Sequence, residues 1–165
     1  MVKPTPPPVS FLDRYEGDDF APLYTGTVTV TGGEAMHGRA SGAARSSDGH
    51  LDVTLRLPPE MGGPGGGSNP EQLFAAGFAA CFHGALCLLA TRERIAVPAD
   101  AAVTAAVTFG RDPADGLFTL VAHVRIALPG VARQVAEALV RNTERLCPYA
   151  KMARQGIECV VQLAD

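Results

Sequence analysis

Four cysteines, Cys81, Cys87, Cys147 and Cys159, are the side chains of this sequence best suited to redox chemistry. Their number is even, but a chain of 165 residues with no visible signal peptide is a poor candidate for a structural disulfide framework. Zinc binding is also disfavoured, because the cysteines are not spaced as zinc ligands and no histidine lies near the last two. Inert buried thiols and redox chemistry are the interpretations that stay open.

The cysteines occupy different kinds of position. Cys81 lies midway along the uncharged apolar stretch 73–90, where a cysteine is usually just a small hydrophobic side chain. Cys147 is expected at a helix end immediately before a proline, where the backbone can flex and let a thiol move, although a plain C-terminal cap is the alternative. Cys87 and Cys159 look structural, the first deeper in the apolar helix and the second within a predicted strand.

The elements that must position these cysteines predict an α+β fold. Alternating apolar and polar residues indicate strands, and helical spacing or a long apolar run indicates helices. Strands are expected at residues 23–33, 51–57, 102–110, 117–128 and 156–164. Helices are expected at 70–92, with Asn69 as N-cap, and from about 130 to 147. Residues 34–49, rich in Gly, Ala and Ser, are expected to form a loop or irregular hairpin.

Composition narrows the class of protein. With 47% apolar residues, 19% charged residues and a net charge of −3, the chain lacks the basic patch of a nucleic-acid binder. Residues 1–22 are predicted to be a disordered or loosely packed Pro-rich tail, and residues 23–165 one domain. The stretch 73–90 reaches the lower length limit of a membrane span. Its many Ala and Gly residues favour instead a core helix buried on all faces, and the missing signal peptide favours a cytoplasmic protein without membrane partners.

Two segments, NPEQLFAAGFAACFHGAL (69–86) and RLCPYAKMARQGIECVVQL (145–163), resemble the signature segments of the organic hydroperoxide resistance proteins. These belong to the superfamily that also holds the osmotically inducible proteins, and the resemblance covers about residues 23–164. It implies a thiol-dependent peroxidase that reduces organic hydroperoxides, needs no metal or bound organic cofactor, and is re-reduced by a dithiol, such as that of lipoylated proteins. It also implies an intertwined homodimer, with antiparallel sheets around two long central helices and active sites at the subunit interface.

The resemblance also implies roles for individual residues. Cys81, in Ala-Ala-Cys-Phe, matches the peroxidatic cysteine, and Cys147, in Cys-Pro-Tyr, matches the resolving cysteine. Glu71, in Asn-Pro-Glu-Gln, matches the acid that pairs with a catalytic arginine. Family members carry that arginine straight after the Gly-Gly that ends the first strand, but here a glutamate follows. Counted back from Ser46-Ser47, Arg39 falls near the expected distance and is favoured over Arg45; for either, a solvated loop charge is the alternative.

The chemistry explains why a cation is needed. A free thiol with a pKa of about 8.5 is only a few per cent thiolate at neutral pH, and burial in an apolar helix makes ionisation harder. A guanidinium keeps its charge when desolvated, so an arginine is the suitable partner. Glu71 and Cys81 are separated by about 15 Å of helical rise. Either the helix start bends, or Glu71 serves the site of the other subunit.

The amino-acid sequence leaves three other functions open. A non-enzymatic redox sensor would use the cysteine pair as a switch. A peroxidase of the osmotic-stress sister branch would share the chemistry but prefer other substrates. A membrane-associated structural protein is the third. The apolar surroundings of the predicted site favour organic hydroperoxides over hydrogen peroxide, because each buried CH₂ group contributes about 0.8 kcal/mol.

Overall fold

The structure, a computed structural model, describes residues 15–34 and 39–164. The order of elements is β1 (Val28–Thr31), β2 (Ser41–Ser46), β3 (Asp52–Arg56), a 3-10 helix (Pro59–Met61), α1 (Pro70–Arg92), β4 (Ala102–Arg111), β5 (Phe118–Ala127), α2 (Arg133–Leu146) and α3 (Pro148–Gln155). This combination of helices and antiparallel strands confirms the predicted α+β class.

These residues form two compact units. The helical unit contains residues 76–106 and 122–164, and the strand unit contains residues 15–34, 39–75 and 107–121. The long elements α1, β4 and β5 each run from one unit into the other. Strands β4 and β5 form a two-stranded hairpin, whose bounds confirm the two strands predicted for this region.

The strand unit is built on an antiparallel sheet in which β2 lies between β1 and β3. The prediction of a loop or irregular hairpin missed β2, because its sequence SGAARS lacks the β-branched residues that signal a strand. Gly42 is required there: its φ is +92°, and a Cβ atom would meet the Thr31 carbonyl oxygen at 2.4 Å. The predicted first strand is shorter than expected, since β1 begins only at Val28.

In the helical unit, α1 contacts α3 through Phe78 and Tyr149, and α3 packs against α2. Helix α1 begins as predicted, with the Asn69 side chain accepting a hydrogen bond from the Gln72 N–H at 2.9 Å. Aliphatic and aromatic side chains of the three helices form the core: Phe78, Phe82, Leu86, Leu89, Ala90, Leu139 and Ala150. Of the apolar residues whose spacing predicted α2, Leu139 is buried but Val135 is 40% exposed, so the spacing located the helix and only part of its buried face.

Two expectations about the helical unit are wrong, and one helix was missed. Helix α1 is not buried on all faces, since Leu88 is 45% exposed and Ala76, Ala80 and Gly84 are also exposed. Residues 156–164 form no strand, and the apolar side chains there are exposed because no neighbouring strand of the described chain pairs with them. Helix α3 was not predicted at all.

Two further predictions concern the tail and the membrane. Residues 1–14 of the predicted tail lie outside the described residues, while residues 15–22 are exposed and have no helix or strand. By length and composition α1 could cross a membrane, with a mean hydropathy of 2.0 over its most apolar window. Core helices of soluble proteins have the same composition, so this observation alone does not indicate a membrane protein.

Candidate active site

Cys147 occupies the link between two helices. It ends α2 and begins α3, and its extended backbone (φ −62°, ψ 119°) is what a residue before a proline adopts. Its N–H donates to the Thr143 carbonyl at 2.8 Å, and its carbonyl accepts from the Lys151 N–H at 3.0 Å. Pro148 stands at the first position of α3, where no N–H is needed. The link is therefore a well-bonded bend, not the fraying helix end expected from the sequence.

The thiols of Cys147 and Cys81 face each other. Their Sγ atoms are 3.6 Å apart, with the Cys147 thiol donating to the Cys81 sulfur, and both cysteines are reduced. Cys147 is fully buried, whereas Cys81 on α1 is half-buried. Burial raises the pKa of the Cys147 thiol, and the neighbouring Cys81 sulfur raises it further against the opposing pull of the Ala150 N–H. The buried thiol is thus the protonated donor, and the more accessible sulfur is its acceptor.

Aromatic side chains flank this thiol pair. The rings of Phe78 on α1 and Tyr149 on α3 are tilted by 45°, with centroids 5.8 Å apart. Gly77 makes room for Tyr149, since a Cβ atom there would meet the phenol oxygen at 2.9 Å. Close approach of α1 and α3 at this glycine is what brings the two sulfurs within contact distance.

The strand unit holds the predicted arginine and acid together. Arg39 forms an ion pair with Glu71 in the first turn of α1, and the two side chains are 33% and 14% exposed. The Arg39 guanidinium carbon also lies 3.3 Å from the centre of the Phe109 ring. This arginine is therefore held at its edge by a carboxylate and on one face by an aromatic ring.

Arg45 has a different environment. It lies on β2, directly opposite Asp52 on β3, and pairs with it at 3.1 Å. Both side chains are more than half exposed, at 59% and 61%. A pair of this kind is an ordinary cross-strand surface ion pair, which contributes little to stability. The geometry therefore distinguishes Arg39, which contacts Glu71, from Arg45, which does not.

The other two cysteines have no thiol neighbour among the described residues. Cys87 is half-buried on α1, with its sulfur 3.8 Å from both ring nitrogens of His83 one turn earlier. Cys159 was predicted to lie in a strand, but it is exposed in segment 156–164, which has no helix or strand. Within residues 15–34 and 39–164, no three His, Cys, Asp or Glu side chains are arranged to hold a metal ion.

Comparison with known proteins identifies the family. The family described as OsmC-like protein matches residues 63–162. An organic hydroperoxide resistance protein of Xanthomonas axonopodis pv. citri is 41% identical over 143 residues, which cover 86% of this chain and 95% of that protein. The chain belongs to the organic hydroperoxide resistance branch of the OsmC-like family.

Other members of this family agree with that assignment. The organic hydroperoxide resistance protein OhrA of Bacillus subtilis is 37% identical over 146 residues, covering 87% of this chain and 98% of that protein. The crystal structure of OhrB from the same organism matches with a TM-score of 0.69 at 36% identity, covering 81% of this chain and 93% of that chain. Similarity over nearly the full length of these proteins means that the fold is shared as a whole.

Sequence reasoning missed the aromatic contact to Arg39. Phe109 was only included in the strand expected at 102–110, because nothing local indicates that an arginine from a distant loop packs on its ring. The same reasoning missed the close fit of Gly77 beneath Tyr149. Both contacts join segments that are far apart in sequence, and residue type and spacing carry no signal for such pairs.

Proposed function

We propose that this protein is a two-cysteine peroxidase that reduces organic hydroperoxides to alcohols and thereby protects against oxidative stress. The observation that carries the proposal is the 3.6 Å contact between the Cys81 and Cys147 sulfur atoms. Cys81 is the nucleophile because it is the more accessible of the two and accepts the hydrogen bond. Cys147, buried and held protonated, is the resolving thiol. Relatives named for organic hydroperoxide resistance support this class of substrate.

The reaction proceeds in three steps. The Cys81 thiolate attacks the terminal peroxide oxygen, so that a sulfur–oxygen bond forms, the oxygen–oxygen bond breaks and an alcohol leaves after taking up a proton. The sulfenic acid then condenses with the Cys147 thiol, whose proton leaves with the hydroxyl group as water. A dithiol finally reduces the disulfide by exchange and becomes a disulfide itself. We propose lipoylated proteins as the source of this dithiol.

Arg39 and Glu71 complete the proposed site. The guanidinium would stabilise the Cys81 thiolate, and Glu71 would orient the guanidinium by accepting from its edge. The ion pair between Arg39 and Glu71 supports this assignment over one that uses Arg45. The pair would serve either the thiol of its own chain or that of a second subunit.

A homodimer is part of the proposal. The apolar residues of α1 that one chain leaves exposed, Leu88 among them, form a surface that a second copy of the same helix would cover. The segment 156–164, exposed and without helix or strand in one chain, would pair with a sheet of the second copy. This assembly, with two central helices inside antiparallel sheet, would be a cytoplasmic enzyme that binds neither nucleic acid nor membrane.

Steady-state turnover with cumene hydroperoxide and a dihydrolipoyl reductant tests the enzymatic proposal. Wild-type protein should turn over many times, and Cys81→Ser should have no activity. A wild-type protein that reacts once and is not re-reduced would refute catalysis and favour the redox sensor. Comparable catalytic efficiency with hydrogen peroxide would contradict the preference for organic substrates and favour the sister branch.

A further inference from the structure

A stack of two arginines and two aromatic rings lies in the strand unit. The Arg39 guanidinium packs on the Phe109 ring, which stacks on the Phe118 ring with centroids 4.8 Å apart and 22° between the planes. On the Phe118 ring lies the guanidinium of Arg111, 4.1 Å from the ring centre. We call these four residues the arginine–phenylalanine stack. Its two positive charges are at opposite ends, separated by two rings.

The stack fixes the position of the Arg39 guanidinium, which the backbone around Arg39 does not fix. Arg39 lies in a turn outside the strands, so the position of its guanidinium depends on side-chain contacts. A guanidinium is planar, with donors around its edge and two apolar faces. Glu71 uses the edge, and Phe109 uses a face. The carboxylate alone would leave the plane of the group free to rotate about the hydrogen bond.

Phe109 is itself held in place. It belongs to β4, and its partner Phe118 belongs to β5, so the hairpin holds both rings against each other. Phe109 is half-buried, whereas Phe118 is 57% exposed. Arg111 covers this more exposed ring and donates to the Gly116 carbonyl at 3.3 Å in the connecting turn. The ring that contacts Arg39 is therefore the better protected of the two.

We propose that Phe109 is a positioning residue for Arg39, and that the arginine–phenylalanine stack orients the cation of the proposed peroxidase site. The inference rests on the proposed function, because it assumes that Arg39 activates the Cys81 thiol. In this proposal Phe109 acts through the arginine. The face of its ring attracts the guanidinium and keeps the plane of the group aligned, so that N–H donors at its edge point in a fixed direction.

The test is the pH dependence of Cys81 alkylation in the full-length protein, together with the rate constant for cumene hydroperoxide. Phe109→Leu keeps apolar bulk but loses the ring face, and it should slow both reactions at neutral pH about fivefold, consistent with the usual strength of a cation–π contact. Phe109→Tyr keeps the ring and should restore wild-type behaviour. Replacement by pentafluorophenylalanine keeps the shape and reverses the charge distribution of the ring, and should behave as leucine does even if Phe109→Leu folds poorly.

A double-variant comparison separates this inference from the proposed function. If Arg39 is the link, Phe109→Leu should add no further effect on alkylation in an Arg39→Ala background. If Arg39→Ala slows alkylation and neither Phe109 replacement does, the positioning role is refuted and the proposed function stands. A Phe109 effect that persists without Arg39 also refutes it. If Arg39→Ala itself changes nothing, the assignment of the cation in the proposed function is refuted.

Discussion

Removal of Cys147 should convert a recycling enzyme into one that is damaged by its substrate. The two sulfurs are 3.6 Å apart and a disulfide requires about 2.05 Å, so closure needs a movement of only about 1.5 Å. Well-oriented groups at such distances react with effective concentrations of at least about 10⁵ M. Even if imperfect alignment lowers this effective concentration a thousandfold, about 100 M remains. That value exceeds the concentration of an external thiol at about 1 mM by roughly 10⁵-fold.

The assay is mass spectrometry of intact protein and of peptides after one equivalent of cumene hydroperoxide. Wild-type protein should lose two hydrogen atoms and show a Cys81–Cys147 bridge, with Cys87 and Cys159 still reduced. Cys147→Ser should gain one oxygen atom as sulfenic acid, and more oxygen with excess peroxide. Cys87→Ser is the matched control. It removes a thiol from α1, the helix that carries Cys81, and should behave as wild type.

The replacement also has a structural effect that must be measured separately. A serine hydroxyl at this fully buried position costs about 1–3 kcal/mol if it lacks a full hydrogen-bond partner. For a chain of this length, that lowers the melting temperature by roughly 2–10 °C. Cys147→Ala leaves no hydroxyl and should show the same loss of turnover. A dominant Cys81–Cys87 bridge in wild-type protein, or undiminished turnover in folded Cys147→Ala, would refute the reasoning.

Three other outcomes are expected. Arg39→Ala should move the pH profile of alkylation of the attacking thiol to higher pH and slow its reaction with hydroperoxide, because the thiolate loses its cation. Arg45→Ala breaks only an exposed ion pair and should change neither the pH profile nor the reaction rate. Because burial raises the pKa of the Cys147 thiol, its contribution to stability is present below the ordinary cysteine pKa of about 8.5 and is lost as pH rises through the higher folded value. The free energy of unfolding of reduced wild-type protein, measured in urea, should therefore fall more steeply above this pH than that of Cys147→Ala. Equal slopes for the two proteins would contradict the raised pKa of Cys147. Leu88→Glu should convert a dimer to monomer in sedimentation velocity, whereas a monomeric wild-type protein would exclude the proposed assembly.

How far the sequence predicts this structure depends on whether a signal is local. Helix α1 was predicted closely, because Asn69, Pro70 and the uncharged run after them act within one segment. Helix α2 was predicted because its apolar residues recur at helical spacing and Pro148 disfavours helix in the residue before it. Helix α3 was missed, since no element was predicted between Cys147 and residue 156.

Contacts between distant segments were predicted only in part. The ion pair between Arg39 and Glu71 was expected from family resemblance, since the order of residues alone does not bring a loop arginine to the start of a helix. Phe109 could not be found in this way, because its place in a strand does not show which distant side chain will pack on its ring. Which ring meets the arginine is decided by tertiary packing, and this is where the structure contributes information that the pattern lacks.

The two failed predictions in the helical unit have a common physical explanation. The sequence requires burial for all faces of α1 and a neighbouring strand for residues 156–164, and one described chain provides neither. An apolar helix face and an unpaired strand are costly in water, the first through exposed hydrocarbon and the second through an unprotected edge. A second copy would satisfy both requirements at once, because the missing helix partner and the missing sheet edge are present on an identical chain. In the proposed homodimer, the pattern would therefore describe a surface of the assembly, and the single chain would be the incomplete unit.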